Sequence, residues 1–236
     1  MIRNFCFFFK KKEGKKKTKM ETLEKQLYTA CKNGNVEEVQ QLLTNNLQIN
    51  VNWQDNFGET TPFWIACLKR HIEVIKLLLK DKRVDVNQSN NDGQTPFYIA
   101  CQNGQIEIVK LLLEDERVDI NQGNSEFGNT PFWIACWQGQ LETVKLLLND
   151  KRIDINKADK NEATPLWSAS FKGFTNIVEY ILASGREVDL NAKNNKGKTA
   201  MEVSRENNKM DTVELLESFE SHPNETRTKL KMQYNL

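Results

Sequence analysis

Residues 95–101 read Thr-Pro-Phe-Tyr-Ile-Ala-Cys, and this stretch recurs along the chain with small changes. Close copies occupy residues 61–67 and 130–136, and a looser copy, Thr-Pro-Leu-Trp-Ser-Ala-Ser, occupies residues 164–170. The threonines that open these four copies are 34, 35 and 34 residues apart. A nearly fixed period of this length predicts an array of stacked structural repeats.

Each copy predicts the start of a short helix. Threonine is a good N-cap because its hydroxyl accepts a hydrogen bond from a free N–H of the first turn. The proline after it stands where a missing N–H costs little. A glycine such as Gly104 is expected to end this helix. A second helix follows, as in residues 106–113, whose apolar residues recur every three or four positions. One such helix pair cannot bury its apolar face alone, so neighbouring units are expected to stack.

Two weaker copies extend the array at its ends. Residues 27–31 fit the same register without Thr-Pro, and residues 199–201 have lost the proline. The sequence therefore predicts an all-α repeat solenoid of helix-turn-helix units with extended turns, comprising about six repeats in residues 21–220. The outer two carry charged residues where inner units are apolar, as expected of caps. The predicted repeats are residues 21–52, 53–87, 88–121, 122–156, 157–191 and 192–220.

The repeated unit resembles the ankyrin repeat, whose signature is Thr-Pro-Leu-His-x-Ala at a period of about 33 residues. The resemblance spans residues 21–220, with some departures from the family pattern. The glycine between the helices is replaced by Arg70 in the second unit, and the signature histidine is replaced in the first five units by large aromatic residues. The resemblance implies a scaffold or adaptor that binds another protein or peptide through a concave groove, although the fold does not specify the partner. The aromatic replacements are Tyr28, Trp64, Tyr98, Trp133 and Trp167.

The family resemblance also implies where the groove lies. In ankyrin proteins, two sets of residues face the groove: those one helical turn after the aromatic position, and those at the tips of the polar turns. In this chain, several of these positions carry large apolar side chains, which are the usual anchors of an interface. Alternatively, these side chains only pack between neighbouring repeats. The predicted partner-binding residues are Phe57, Leu68, Gln102, Phe127, Trp137, Phe171 and Lys172.

Trp137 and Phe171 are the central anchors of this prediction. They occupy the same position in consecutive repeats, so helix stacking is expected to place them roughly 10 Å apart on one face. Removing both side chains is expected to abolish partner binding while leaving folding nearly intact.

No catalytic, cofactor-binding or metal-binding residue emerges from the sequence. With only His71 and His222, the chain has neither a paired-histidine zinc motif nor a catalytic triad. We therefore expect no enzyme activity, no cofactor and no small-molecule substrate, although a docking subunit of an enzyme stays an alternative. Four cysteines recur at one position of successive repeats, too far apart for disulfides, and are expected to be buried in a reducing compartment. They are Cys31, Cys67, Cys101 and Cys136.

Charge separates the first residues from the rest. Residues 1–20, a Phe- and Lys-rich segment predicted to be flexible, carry eight basic side chains and one acidic one, whereas the remaining chain has a net charge of −6. The acidic body argues against nucleic-acid binding. Residues 1–20 allow three interpretations. The protein could start at Met20, so that residues 1–19 are a mis-assigned extension. Alternatively, the segment is a tether to an anionic membrane surface or a basic run like those that direct nuclear import. We expect a cytoplasmic protein, with nuclear or membrane-peripheral alternatives, and a flexible polar tail over residues 221–236.

Overall fold

The computed structural model describes residues 23–55 and 59–236 of the chain. Within these ranges the secondary structure consists of thirteen α-helices without a β-strand, which confirms the predicted all-α repeat architecture. The chain divides into two compact units, Met1–Asn91 and Asp92–Leu236, called here the N-terminal and C-terminal units.

The described part of the N-terminal unit contains two helix pairs. Buried apolar residues of the second helices, such as Val39 and Leu78, form its core. Thr61 caps α3 as predicted, because its hydroxyl oxygen accepts a hydrogen bond from Trp64 N at 3.1 Å. Arg70, which replaces the usual glycine, ends α3 in the left-handed conformation with φ of 63°. The helices are α1 (residues 23–33), α2 (Val36–Asn45), α3 (Pro62–Lys69) and α4 (Ile72–Lys80).

The C-terminal unit contains four helix pairs and one additional helix. Odd-numbered helices from α5 to α11 contact one another in order, as do even-numbered helices from α6 to α12, so the unit has two helical layers. The helices are α5 (Pro96–Gln102), α6 (Ile106–Leu113), α7 (Pro131–Trp137), α8 (Leu141–Leu148), α9 (Pro165–Lys172), α10 (Thr175–Ala183), α11 (Ala200–Glu206), α12 (Met210–Ser221) and α13 (Pro223–Tyr234).

Threonine caps begin the first helix of each pair in this unit, as the repeated motif predicts. Thr130 is typical, since its side chain accepts a hydrogen bond from Trp133 N at 3.1 Å. At the last pair, Thr199 forms a full capping box with Glu202. Gly139 separates α7 from α8 with φ of +73°, a conformation that residues with a Cβ rarely adopt. An ideal Cβ built there would also come within 2.9 Å of the Phe174 ring.

Asparagine side chains connect successive extended turns. Asn121 donates from Nδ2 to Arg152 O at 2.7 Å, and its Oδ1 accepts from Asp154 N at 2.9 Å. Asn156 donates in the same way to Glu187 O, one repeat further on, at 2.8 Å. These bonds satisfy backbone groups that no helix pairs, and they fix the spacing of neighbouring turns.

The four repeat cysteines are buried free thiols, as predicted. In the C-terminal unit, Cys101 and Cys136 have no solvent exposure. Burial raises the pKa of both thiols, because the thiolate form would lose its hydration. These side chains therefore act as small apolar core residues.

The structure differs from the flexible tail predicted over residues 221–236. Pro223–Tyr234 form α13, which packs against α10 and α12. The Tyr234 ring lies 4.1 Å from the Tyr180 ring, centroid to centroid, and its hydroxyl donates to a carboxylate oxygen of Glu179. Arg227 Nε also donates to Leu182 O at 3.2 Å. The polar composition suggested disorder, but a few contacts with the preceding repeats hold the helix in place.

Candidate functional site

Two aromatic replacements of the signature histidine are buried in the C-terminal unit. Tyr98 and Trp133 are only 2% and 5% exposed. Trp133 Nε1 donates a hydrogen bond of 2.9 Å to Ala163 O in the next repeat. Burial raises the pKa of the Tyr98 hydroxyl to about 12. For these two residues, packing within the repeat array is therefore the role that the geometry supports.

Four aromatic rings from two consecutive repeats form what we call the aromatic stack. Successive ring centroids of Trp133, Trp137, Phe171 and Trp167 lie 5.2, 5.6 and 5.3 Å apart, and neighbouring planes are within 19° of parallel. These are offset-stacked geometries, which favour aromatic pairs beyond simple burial. The Trp137 and Phe171 rings are thus closer than the roughly 10 Å expected from helix spacing, because their side chains extend across the space between the helices.

Lys172, the last residue of α9, lies over one of the two inner rings of this stack. Its Nζ lies 4.1 Å from the centroid of the Trp137 ring. A cation over an indole face is attracted by the negative potential of the π system, by about 0.5–1 kcal/mol at an exposed site. The aromatic stack is therefore bordered by positive charge.

Beside the stack lies an open cavity of about 460 Å³, called here the aromatic cavity. The indole rings of Trp133, Trp137 and Trp167 form one wall, and residues of three successive turns form the other. Phe127 stands at the tip of the first of these turns, and 44% of its surface is exposed. The turn residues that line the cavity include Phe127, Asp159, Asn161, Asn194, Asn195 and Lys196.

One polar residue in each turn holds the local backbone in place. Asn124 Oδ1 accepts from Phe127 N at 3.3 Å and from Asn129 N at 2.9 Å. Asp159 Oδ1 accepts from the backbone N–H of residues 161 and 163 at 2.9 and 2.8 Å. Asn194 Oδ1 accepts from those of residues 196 and 198 at 3.1 and 3.0 Å. The second and third turns therefore have the same hydrogen-bond pattern, to the second and fourth residues ahead, whereas Asn124 bonds to the third and fifth residues ahead.

Backbone hydrogen bonds join the turns to one another. Lys160 N donates to Phe127 O at 2.7 Å, and Asn195 N donates to Asn161 O at 2.8 Å. The turn wall of the aromatic cavity is thus connected from one repeat to the next. A surface preformed in this way loses little conformational entropy when it binds a ligand.

The structure brings together four of the predicted site residues. Phe127 and Trp137 line the aromatic cavity, while Phe171 and Lys172 contact Trp137. Gln102 is partly buried on α5 and does not line the cavity. Leu68 is partly buried in the N-terminal unit, and Phe57 lies outside the described residues.

Several residues at the cavity were not among the predicted site residues. Trp133 and Trp167, noted only as replacements of the signature histidine, also line the aromatic cavity. Asp159, Asn194 and Lys196 enter it from the turns. The sequence contained a signal for the turn residues, since they recur near the tips of successive repeats. For Trp133 and Trp167, the sequence did not indicate that part of each side chain would line an open cavity.

The described residues contain no group of three or more His, Cys, Asp or Glu side chains that could hold a metal ion. Among the helices of these ranges, none is long and apolar enough to cross a membrane. Residues 1–20, which carry the predicted membrane tether or basic import run, lie outside the described part of the chain.

Comparison with known families agrees with this architecture. The sequence matches the family described as "Ankyrin repeats (3 copies)" over residues 5–90, 82–159 and 132–227. These matches cover most of the chain, and the capped helix pairs of both units are the structural counterpart of the repeated motif. The protein is a helical repeat protein. It belongs to the ankyrin repeat family.

Solved structures show the same fold. The ankyrin repeat protein EF0377 is 27% identical with a TM-score of 0.74, covering 82% of this chain and 97% of its own. A chain from the complex of the endopeptidase Bd0816 of Bdellovibrio bacteriovorus with the immunity protein Bd3460 is also 27% identical, with a TM-score of 0.67 and the same coverages. The ankyrin repeat domain of Bcl-3 is 24% identical with a TM-score of 0.74, covering 81% and 84%. The curated proteins include no significant match.

Proposed function

We propose that this protein is a scaffold or adaptor that binds a partner protein or peptide through the surface around the aromatic cavity. The observation that carries this proposal is the open cavity of about 460 Å³, which has three indole rings in one wall and the exposed Phe127 at its rim. Its volume falls within the range of about 300–1,000 Å³ typical of ligand sites. Tryptophan and other aromatic residues are also the side chains that most often dominate binding energy at interfaces.

Family membership supports a protein as the ligand, because ankyrin repeats are protein-interaction modules. One similar structure is itself that of a protein complex, between an endopeptidase and an immunity protein. The aromatic cavity is made from side chains and turns of consecutive repeats, so a ligand there would contact several repeats at once. Such a surface suits a polypeptide segment better than a single small molecule.

The proposal includes a non-catalytic role in the cytoplasm, without a cofactor, a nucleic acid or a small-molecule substrate. Buried free thiols agree with a reducing compartment, and the net charge of −6 beyond residue 20 disfavours nucleic acid. Membrane recruitment through residues 1–20, nuclear import and service as a docking subunit of an enzyme stay predictions from the sequence.

Phe127→Ala tests the proposed surface. The exposed ring can be removed with little effect on folding, whereas loss of an interface contact should reduce partner capture by about tenfold, equivalent to roughly 1.4 kcal/mol. The full chain would be used for affinity capture from cell lysate, with quantitative mass spectrometry comparing the wild type and the variant.

Met210→Ala is the matched control for this capture. Met210 is an apolar residue of the same unit, 52% exposed on α12, and it does not line the aromatic cavity. Proteins that bind the cavity should be captured equally by the wild type and this control but lost with Phe127→Ala. Equal capture by all three folded proteins would place the binding surface elsewhere.

A further inference from the structure

The charges around the aromatic cavity indicate what kind of partner segment it fits. Lys196 lines the cavity, and the ammonium group of Lys172 lies on the Trp137 ring that lines it. Neither forms an ion pair with any carboxylate in the described ranges. By contrast, Lys198 in the same turn as Lys196 pairs with Glu206 at 2.5 Å. One cation that lines the cavity, and a second on the adjoining Trp137 ring, thus have no carboxylate partner in the described ranges.

Asp159 is the acidic residue that lines the cavity, and its carboxylate accepts hydrogen bonds from the backbone of its own turn. Its Oδ1 accepts the two turn hydrogen bonds described above. Glu126 and Glu162 are exposed in the same set of turns but do not line the cavity. The cavity lining therefore presents one ammonium group without an ion pair, that of Lys196, against one carboxylate that is already hydrogen-bonded, and Lys172 adds a second positive charge on the Trp137 ring.

We propose, building on the function above, that the aromatic cavity accepts a partner segment with one large apolar side chain next to an acidic residue. The apolar side chain, aromatic or long aliphatic, enters the cavity against the indole wall. The Asp or Glu carboxylate approaches Lys172 and Lys196. A polyanionic ligand such as a nucleic acid fits less well, because Asp159 in the same lining would repel a continuous row of phosphates.

The size of the cavity limits the spacing of these two ligand groups. A volume of about 460 Å³ corresponds to a width on the order of 8 Å. An extended chain advances about 3.3–3.6 Å per residue. The acidic residue is therefore expected within about three positions of the apolar anchor.

Selection from a random twelve-residue peptide library displayed on phage tests this proposal without knowledge of the natural partner. The full chain is the bait, and peptides that also bind Phe127→Ala are discarded. Selected peptides are expected to share an aromatic or long aliphatic residue with Asp or Glu within three positions. Enrichment of basic residues near the anchor, or no enrichment above the Phe127→Ala background, would overturn the proposal.

Charge variants then identify the lysines responsible. For a synthetic copy of a selected peptide, Lys172→Gln with Lys196→Gln should weaken binding by roughly threefold to thirtyfold at physiological salt, as expected for two exposed ion pairs. Lys110→Gln with Lys151→Gln removes the same charge from exposed positions away from the cavity and should change binding less than twofold. Equal effects of the two double variants would contradict the assignment, because only the net charge of the protein would then matter.

The outcomes separate this inference from the proposed function. If peptides bind through the aromatic cavity without an acidic preference, the proposed binding surface stands and the inference about partner chemistry fails. Sedimentation equilibrium of the full chain tests whether a second copy of the protein, instead of a partner segment, occupies the cavity. A dimer that Phe127→Ala converts to monomer would show that the cavity serves self-association and would overturn the peptide assignment.

Discussion

Replacing Trp137 with alanine tests whether the aromatic stack holds the C-terminal unit together. The Trp137 indole stacks on the Trp133 and Phe171 rings, at centroid distances of 5.2 and 5.6 Å. Lys172 Nζ lies 4.1 Å from the centroid of the same indole. Each aromatic pair contributes about 0.5–1.5 kcal/mol, and the cation–π contact contributes about 0.5–1 kcal/mol. We therefore expect Trp137→Ala to lower the free energy of unfolding by about 1.5–4 kcal/mol, compared with about 3–5 kcal/mol for a fully buried tryptophan.

Urea denaturation followed by circular dichroism at 222 nm would measure this loss. Trp137→Phe keeps an aromatic ring at the site and should recover at least half of it. Phe127→Ala, which removes an exposed ring outside the stack, should stay within about 0.5 kcal/mol of the wild type. If Trp137→Ala proved as stable as Phe127→Ala, the argument that the four rings stabilise one another would be wrong.

Two further variants test the core and the C-terminal helix. Cys101→Ser should destabilise the protein by about 1–3 kcal/mol in the same urea assay, because it places a hydroxyl among apolar neighbours. Cys101→Ala should cost less, and ready reaction of all four repeat cysteines with a thiol reagent in the native protein would contradict their burial. Deleting residues 223–236 should lower the unfolding midpoint, since α13 packs on α10 through the Tyr180–Tyr234 contact. An unchanged midpoint would mean that α13 adds no stability to the unit.

The repeat fold could be predicted from sequence because its determinants are local. Thr130 and Pro131 specify a helix start whatever surrounds them, and the three- and four-residue spacing within 141–148 specifies an amphipathic second helix. The period of the motif then requires stacking. Even the replacement of glycine by Arg70 did not disturb the pattern, because one residue in the left-handed conformation costs far less than the burial of the adjacent helices contributes.

The tail and the cavity were less predictable because they depend on contacts between residues distant in sequence. α13 has a polar composition, and only its packing on α10 reveals why residues 223–234 are ordered. The aromatic cavity depends on how far the side chains of Trp137 and Phe171 extend across the space between two helices. A motif fixes the helix positions, but the rotamers of large rings follow from the neighbours that they meet.

The aromatic stack gives the same residues two roles, and this affects how binding has to be tested. Trp133 stabilises the repeats through its hydrogen bond to Ala163 and also forms part of the cavity wall. Trp137 lines the cavity while its ring is stacked on two others. Contrary to the expectation from sequence, removal of such a ring would change stability and binding together. Side chains that line the cavity from outside the stack, such as Phe127 and Lys196, can report on binding with little effect on stability.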